Sequence, residues 1–374
     1  MKNILITGGA GFIGSEVAIK LVSKGYSVRV LDNLSPQIHG SNAKIPDKLL
    51  GIVEFIKGDV RSKEDWDNAV KNQDAIIHLA AETGTGQSMY EIHRYSNTNI
   101  CGTAHMLDIL TNQKHTIKKV IVASSRAVYG EGKYRCGKHG IVYPFERKED
   151  DMLKGDFEVK CPFCNSNLEL CATSEDSDIH PLSIYGITKQ VQEEMVMVIC
   201  KALRIPCVLY RYQNVYGPGQ SLSNPYTGIL SIFSNRIINN EEINIFEDGM
   251  ETRDFVYIED VVNATIAGLE NAKADYNIFN VGSGNSTDVN TVVSVLSDVY
   301  KQKVKKKISG DFRVGDIRHN YADISKIKKL IGFVPSVPFR KGIGNFAEWV
   351  LAQNKIESKY EESLEEMRKK GLMK

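Results

Sequence analysis

The 374-residue chain carries 47 Lys and Arg against 46 Asp and Glu, with 42% hydrophobic and 8% aromatic residues, a composition that excludes disordered and fibrous classes. A net charge of +1 gives no overall field to draw in nucleic acid or anionic lipid, and no run of about 18 apolar residues suggests a membrane span. The apolar run Ile4 to Ile6 is too short for a signal segment, so we expect a cytoplasmic protein with no nucleic-acid or membrane partner. Of seven cysteines, Cys136, Cys161, Cys164 and Cys171 fall within 36 residues, and in a reducing compartment such clustering favours metal ligation over disulfides.

Residues 3–7 form a short β-branched run that breaks into Gly8-Gly9-Ala10-Gly11-Phe12-Ile13-Gly14, and apolar residues at helical spacing follow to Leu21. Strand, glycine turn and helix in that order place a helix N-terminus toward phosphate: Gly8 for the turn, Gly11 for backbone approach, Gly14 for close packing. A second strand, Tyr26 to Leu31, ends in Asp32 and Asn33, where a carboxylate accepts from an adenosine ribose and repels a 2′-phosphate, favouring NAD over NADP. Further compact apolar runs at 53–56, 75–81, 119–125 and 207–212 predict a parallel sheet covered on both faces, with ligands collecting at the carboxyl ends. Asp59 and Val60 would face adenine there, and Leu79, Ala80 and Ala81 would flank the middle of the cofactor. His78 reads as a hydrogen-bonded core histidine.

Farther along, Ser124-Ser125-Arg126-Ala127-Val128-Tyr129-Gly130 closes a predicted strand, and Tyr185-x-x-x-Lys189 puts two side chains on one helix face. Tyrosine is a poor base at its ordinary pKa near 10, but a nearby ammonium and the positive nicotinamide ring favour phenolate, which casts Tyr185 as the base and Ser125 as the hydroxyl that holds the substrate. Between them lie Cys136-x-x-His139 and Cys161-x-x-Cys164, the spacing of two knuckles of a small zinc ribbon, with 140–143 and 157–160 as flanking strands and Cys171 as a substitute ligand. Met195 to Cys200 is apolar all round, so the helix after Tyr185 needs burial beyond one sheet face, which a homodimer would provide. The run 303–307 reads as a charge-protected strand edge, and the charged stretch 355–374 as a frayed, solvated helix.

Over residues 1–130 and 175–350 the chain resembles the extended short-chain dehydrogenase/reductase family, in its nucleotide-sugar epimerase/dehydratase branch. The resemblance implies an α/β fold: a Rossmann-like doubly wound parallel sheet, a smaller C-terminal substrate-binding α/β region and, here, a Cys-rich insert. It implies a cofactor core at 1–130, the insert at 131–175, the catalytic helix and return to the core at 176–220, a mainly substrate-binding region at 221–350 and a tail at 351–374. Gly8, Gly11, Gly14, Asp32, Asp59, Asn99 and Tyr212 are then assigned to NAD, and Ser125, Tyr185 and Lys189 to catalysis. Arg126 and Asn214 fall to the sugar, and Arg253, Arg313 and Asp316 to the diphosphate and nucleoside.

Sugar 4,6-dehydratases of this family place an Asp-Glu pair directly after the strand-end hydroxyl residue, whereas this chain has Arg126 and Ala127. Elimination then lacks its proton carriers, which favours C4 epimerisation. The insert wording, Ser124 to Gly132, Tyr134-Arg135-Cys136 and Cys161-Pro-x-Cys164, resembles the dTDP-L-rhamnose 4-epimerase type. A UDP-hexose 4-epimerase, another nucleotide-sugar dehydratase or reductase, and a non-catalytic NAD-binding zinc protein stay open as alternatives.

Overall fold

The computed structural model describes residues 1–40, 43–226, 228–353 and 360–374. Seven strands, β1 (Asn3–Thr7), β2 (Ser27–Asp32), β3 (Glu54–Lys57), β4 (Ala75–His78), β5 (Lys119–Ser125), β6 (Cys207–Tyr212) and β7 (Asn277–Val281), form one sheet in the order β7-β6-β5-β4-β1-β2-β3. Every neighbouring pair is parallel. The order reverses between β1 and β4, and such a switch point opens a crevice at the carboxyl ends.

Side-chain alternation explains why both faces are dry. Ile4, Ile6, Val28, Val30, Ile77 and Val208 point to one side, where helices α1 (Phe12–Ser23) and α4 (Ile258–Glu270) cover them. Leu5, Leu31, Ile76, Val120 and Leu209 point to the other, against α2 (Gly102–Asn112) and α3 (Ile184–Leu203). Strands buried within a covered sheet read as compact apolar runs, which is how six of them, β1 to β6, are visible in the sequence. β7 lies inside the region expected to be mainly substrate-binding, and it adds the edge strand of the cofactor core.

The insert forms a hairpin of Tyr134–Cys136 and Gly140–Val142, with Glu169–Leu170 pairing on the other side of Tyr134–Cys136. The strand expected at 157–160 is reduced to one bridge, Lys160 to Asn167, because Val159 and Phe157 turn inward to separate apolar clusters. The tail also differs from expectation. Of the stretch 355–374, residues 355–359 lie outside the described residues, but α5 (Tyr360–Lys369) is docked through Tyr360, Leu364 and Met367, and Met373 joins the same cluster. Four apolar residues at helical spacing and beyond are enough to anchor a helix whose other face is charged. No helix among the described residues is long and apolar enough to cross a membrane.

Candidate active site

The turn after β1 brings the backbone to the crevice. Gly8 sits at φ +67°, and a Cβ there would lie 2.7 Å from the Ala80 nitrogen, so only glycine allows this crossing. A Cβ on Gly14 would lie 2.3 Å from the Gly8 carbonyl oxygen, which lets α1 begin directly against the turn. The helix has no side-chain cap at Gly11 and no acidic residue in its first turn, leaving its N–H groups for an anion. Asp32 ends β2 and accepts from the Ala10 N–H at 3.0 Å and the Leu34 N–H at 2.8 Å, so the same carboxylate braces the turn and faces the crevice.

These residues line a cavity of about 610 Å³. Gly8, Gly11, Phe12, Ile13, Gly14, Asp32, Asn33, Val60, Leu79, Ala80, Ala81, Tyr185, Lys189 and Tyr212 all contribute to its wall. Two residues assigned to the cofactor do not. Asp59 is turned away onto Arg61 and Asn33, and those partners outweigh its burial and hold its carboxyl at about 2. Asn99 is buried and bonds the Glu82 backbone on both sides and the Thr188 hydroxyl, which positions the loop after β4 against α3. His78 is the core histidine expected, held between Thr7 and Thr103 at 2.7 and 3.1 Å; burial lowers it to about 3.

Ser125, at the end of β5, caps the following turn by accepting from the Ala127 N–H at 3.1 Å. Ser183 caps α3 in the same way, accepting from the Gly186 N–H at 3.1 Å, and the helix start brings Tyr185 to Ser125. Burial pushes the Tyr185 phenol up, and the Ser125 hydroxyl and then the Arg126 charge pull it back. Lys189, whose Nζ lies 5.9 Å from the centre of that ring, donates to the Ala123 carbonyl at 3.0 Å, and burial lowers it to about 7.

A second cavity, of about 320 Å³, meets the first at Ser125 and Tyr185, which line both. Arg126, Asn214, Arg253, Arg313 and Asp316 all reach it. Arg126 donates to Asn214 Oδ1 at 3.0 Å; burial, and after it the like charge of Arg253, lowers its guanidinium to about 9. Arg253 donates to the carbonyls of Thr252, Ile317 and Arg318, using three of its five N–H groups, and Arg313 pairs with Asp316 at 2.6 Å. Three convergent guanidiniums, of which Arg313 is paired with Asp316, suit a polyanionic ligand. Gln213, beside Asn214, also lines this cavity, as do Tyr226, Phe246, Glu247, Glu251 and Tyr360, which nothing in their local sequence marks.

The insert is tied to that cavity by buried charge. Arg147 donates to both oxygens of Glu247 at 2.9 and 2.8 Å and to the Asp316 carbonyl at 3.0 Å, with Glu131 at 3.3 Å. Fully buried Arg318 bridges Glu158 of the insert to Glu247 and Asp248. At the other end of the insert, one ligand atom from each of Cys136, His139, Cys161 and Cys164 lies within 4.8 Å of the rest. Cys136 Sγ is 3.7 Å from Cys164 Sγ, and His139 Nδ1 is 3.5 Å from both Cys136 and Cys161 Sγ. Zinc bonds of about 2.3 Å to sulfur and 2.0 Å to nitrogen give tetrahedral edges of about 3.8 and 3.5 Å. The donor set fits zinc, and Cys171 stands outside it, near the Glu169 carbonyl.

Residues 4–147 and 166–282 match the model of the NAD dependent epimerase/dehydratase family. The chain belongs to that family. It is accordingly an enzyme on a Rossmann-type sheet, and the gap in the match falls inside the Cys-rich insert. It is 36% identical over 351 residues to the dTDP-L-rhamnose 4-epimerase of Burkholderia thailandensis, covering 93% of this chain and 95% of that one. The UDP-glucose 4-epimerase of Thermotoga maritima, solved with UDP-glucose, superposes with a TM-score of 0.75 at 30% identity, covering 93% and 98%. The UDP-glucuronic acid 4-epimerase of Bacillus cereus, solved with UDP-glucuronic acid and NAD, gives 0.74 at 26%, covering 93% and 99%.

Proposed function

We propose that this family member is an NAD-dependent nucleotide-sugar 4-epimerase that inverts C4 through a 4-keto sugar, with dTDP-L-rhamnose and dTDP-6-deoxy-L-talose as its substrate pair. The observation that carries the reaction type is the position of Ser125 and Tyr185 at the junction of the two cavities, followed by Arg126 and Ala127 where elimination would need carboxyl groups. The similarity to the Burkholderia enzyme, which extends through 93% of this chain, supports the sugar.

In this reading Tyr185 takes the proton of the C4 hydroxyl, and Ser125 holds that hydroxyl beside the phenol. NAD, when bound, supplies the acceptor for the C4 hydride and returns it. Gly8, Gly11, Gly14 and Asp32 would hold its pyrophosphate and ribose, and Lys189 lines the cofactor cavity beside Tyr185. Arg253 and Arg313 hold the diphosphate, so the keto sugar turns about that linkage while its anchor stays in place; the hydride would then return to the opposite face of C4, and Tyr185 gives its proton back to the C4 oxygen. Asn214 and Arg126 contact the pyranose.

Zinc on Cys136, His139, Cys161 and Cys164 would be structural, since four protein ligands leave no open position. It would order the insert, which through Arg147 and Glu158 braces the wall carrying Glu247 and Asp316. Val198 on α3 is 65% exposed, and pairing of that helix in a homodimer would cover it. Cytoplasmic location accords with thiols that serve as ligands. Incubation with a panel of dTDP-, UDP- and GDP-sugars, read by NMR, tests the reading: inversion at C4 without net NADH is expected, and loss of water or carbon dioxide would assign another reaction.

A further inference from the structure

The C-terminal segment is more than an appendage. Its helix α5 buries Tyr360, Leu364 and Met367 against Tyr90, Ile232 and Phe246, and the chain then returns beside the 312–314 loop. Three backbone hydrogen bonds close that return: Phe312 N–H to the Lys374 carbonyl at 2.8 Å, Lys374 N–H to the Phe312 carbonyl at 3.0 Å and Val314 N–H to the Leu372 carbonyl at 3.0 Å. Arg313, which lines the cavity, is thereby held in a two-stranded bridge with Met373. Side chains add to the docking. Arg236 lies over the Tyr360 ring at 5.3 Å and pairs with Glu361, and Lys374 pairs with Glu149 of the insert. Glu366 accepts from the Tyr90 and Tyr226 hydroxyls at 3.2 and 3.5 Å, and Tyr226 lines both cavities.

Tyr360 itself forms part of the substrate cavity wall. It packs with Ile232 and Phe246, and the cavity is lined as well by Phe233, Asn244 and Arg313, whose guanidinium lies 5.4 Å from the Phe246 ring centre. Aromatic and aliphatic walls with one arginine suit a flat heterocycle next to a phosphate. Within the wall the Asn244 amide oxygen is buried with no hydrogen-bond partner, and such an acceptor calls for an N–H of the ligand. Ser125, Arg126 and Tyr185, to which the sugar chemistry is assigned, line the same cavity.

We propose that the C-terminal segment 360–374 builds the nucleoside end of the substrate site and that Tyr360 is a specificity-determining residue for the nucleoside diphosphate. The proposal rests on the nucleotide-sugar reading given above. Its occupant is a nucleoside diphosphate whose base presents an N–H, with the apolar wall partly owned by the tail. A tail of this kind selects the nucleotide without touching the reacting carbon.

The test uses the full-length protein with bound NAD and the probes UDP and dTDP, measured by calorimetry alongside KM and kcat for the sugar turned over. For Tyr360→Ala we expect about tenfold weaker nucleotide binding and a matching rise in KM, with kcat within about threefold and NAD content unchanged. Tyr360→Phe, which keeps the ring, should restore parent affinity. The double variant Leu364→Asp and Met367→Asp, which undocks the helix, should lose at least as much as Tyr360→Ala. Parent-like nucleotide affinity in both Tyr360→Ala and the undocked variant would overturn the assignment of the tail. An unaltered parent that binds neither UDP nor dTDP would overturn the nucleotide-sugar reading, and the proposal with it.

Discussion

Lys189 and Tyr185 face each other across one turn of α3, with the lysine Nζ 5.9 Å from the centre of the phenol ring, yet its hydrogen bond goes to the Ala123 carbonyl at 3.0 Å. The lysine is thus fixed to the end of β5, and the phenol meets the Ser125 hydroxyl and the Arg126 charge. Removing only the phenolic oxygen should leave this framework standing. Tyr185→Phe is expected to keep its NAD and lose about 10²- to 10⁴-fold in turnover, the span typical of a general base. Turnover within a few fold of the parent would place the base elsewhere.

Asp32 serves two ends at once, which makes the choice of substitution matter. Asp32→Asn keeps an acceptor for the Ala10 or Leu34 N–H while removing the charge that repels a 2′-phosphate. The ratio of NAD to NADP affinity should fall in this variant, measured by titration of cofactor-stripped protein. An unchanged ratio would show that the carboxylate does not face the ribose.

His78 makes stability depend on pH with a definite sign. Its folded-state value is lowered from 6.5 to about 3 by burial and by the Lys189 charge, so between those limits the unfolded chain binds a proton that the folded one does not. This contribution is whole above pH 6.5 and is lost at about 1.4 kcal/mol per pH unit as pH falls toward 3. Urea unfolding of the parent and of His78→Gln at pH 7 and pH 5 checks it: the variant should show a shallower fall. Equal slopes would remove His78 as the source.

Arg147 joins the insert to the substrate cavity through charges that have no water to fall back on. Replacing it by Met leaves Glu131 buried without its guanidinium and Glu247 with that of Arg318 alone, and breaking such a buried pair costs about 3–5 kcal/mol. Burial already raises Glu131 to about 7 with Arg147 present. The expected outcome is a lower urea midpoint together with a raised KM for the sugar nucleotide, while Arg147→Lys recovers part of both. A raised KM without loss of stability would assign Arg147 a direct contact instead.

Metal analysis of protein purified without chelators should find about one zinc per chain. Its removal should raise protease cleavage between residues 131 and 175 and weaken sugar-nucleotide binding, with NAD occupancy intact. Protein free of zinc would refute the ligand set. Zinc loss that abolished turnover while the insert stayed ordered would make the site catalytic.

What the amino-acid sequence determined by itself is whatever depends on neighbours along the chain. The turn Gly8 to Gly14, the apolar runs of six strands, the helical spacing of Tyr185 and Lys189 and the paired knuckles Cys136-x-x-His139 and Cys161-x-x-Cys164 are local patterns, each imposed by backbone sterics, strand burial, helix pitch or metal-ligand reach. Tertiary structure alone decided what depends on contacts across hundreds of residues. Asn99 carries a polar group suited to a cofactor, and the fold also brings it to the Thr188 hydroxyl of α3. Tyr360 and Glu247 lie in charged, unpatterned stretches, and only the docking of α5 and the burial of Arg147 and Arg318 bring them to the cavity. The tail read as solvated because its few apolar residues are sparse in sequence; they are buried because the apolar surface around Ile232 and Phe246 offers a place to bury them.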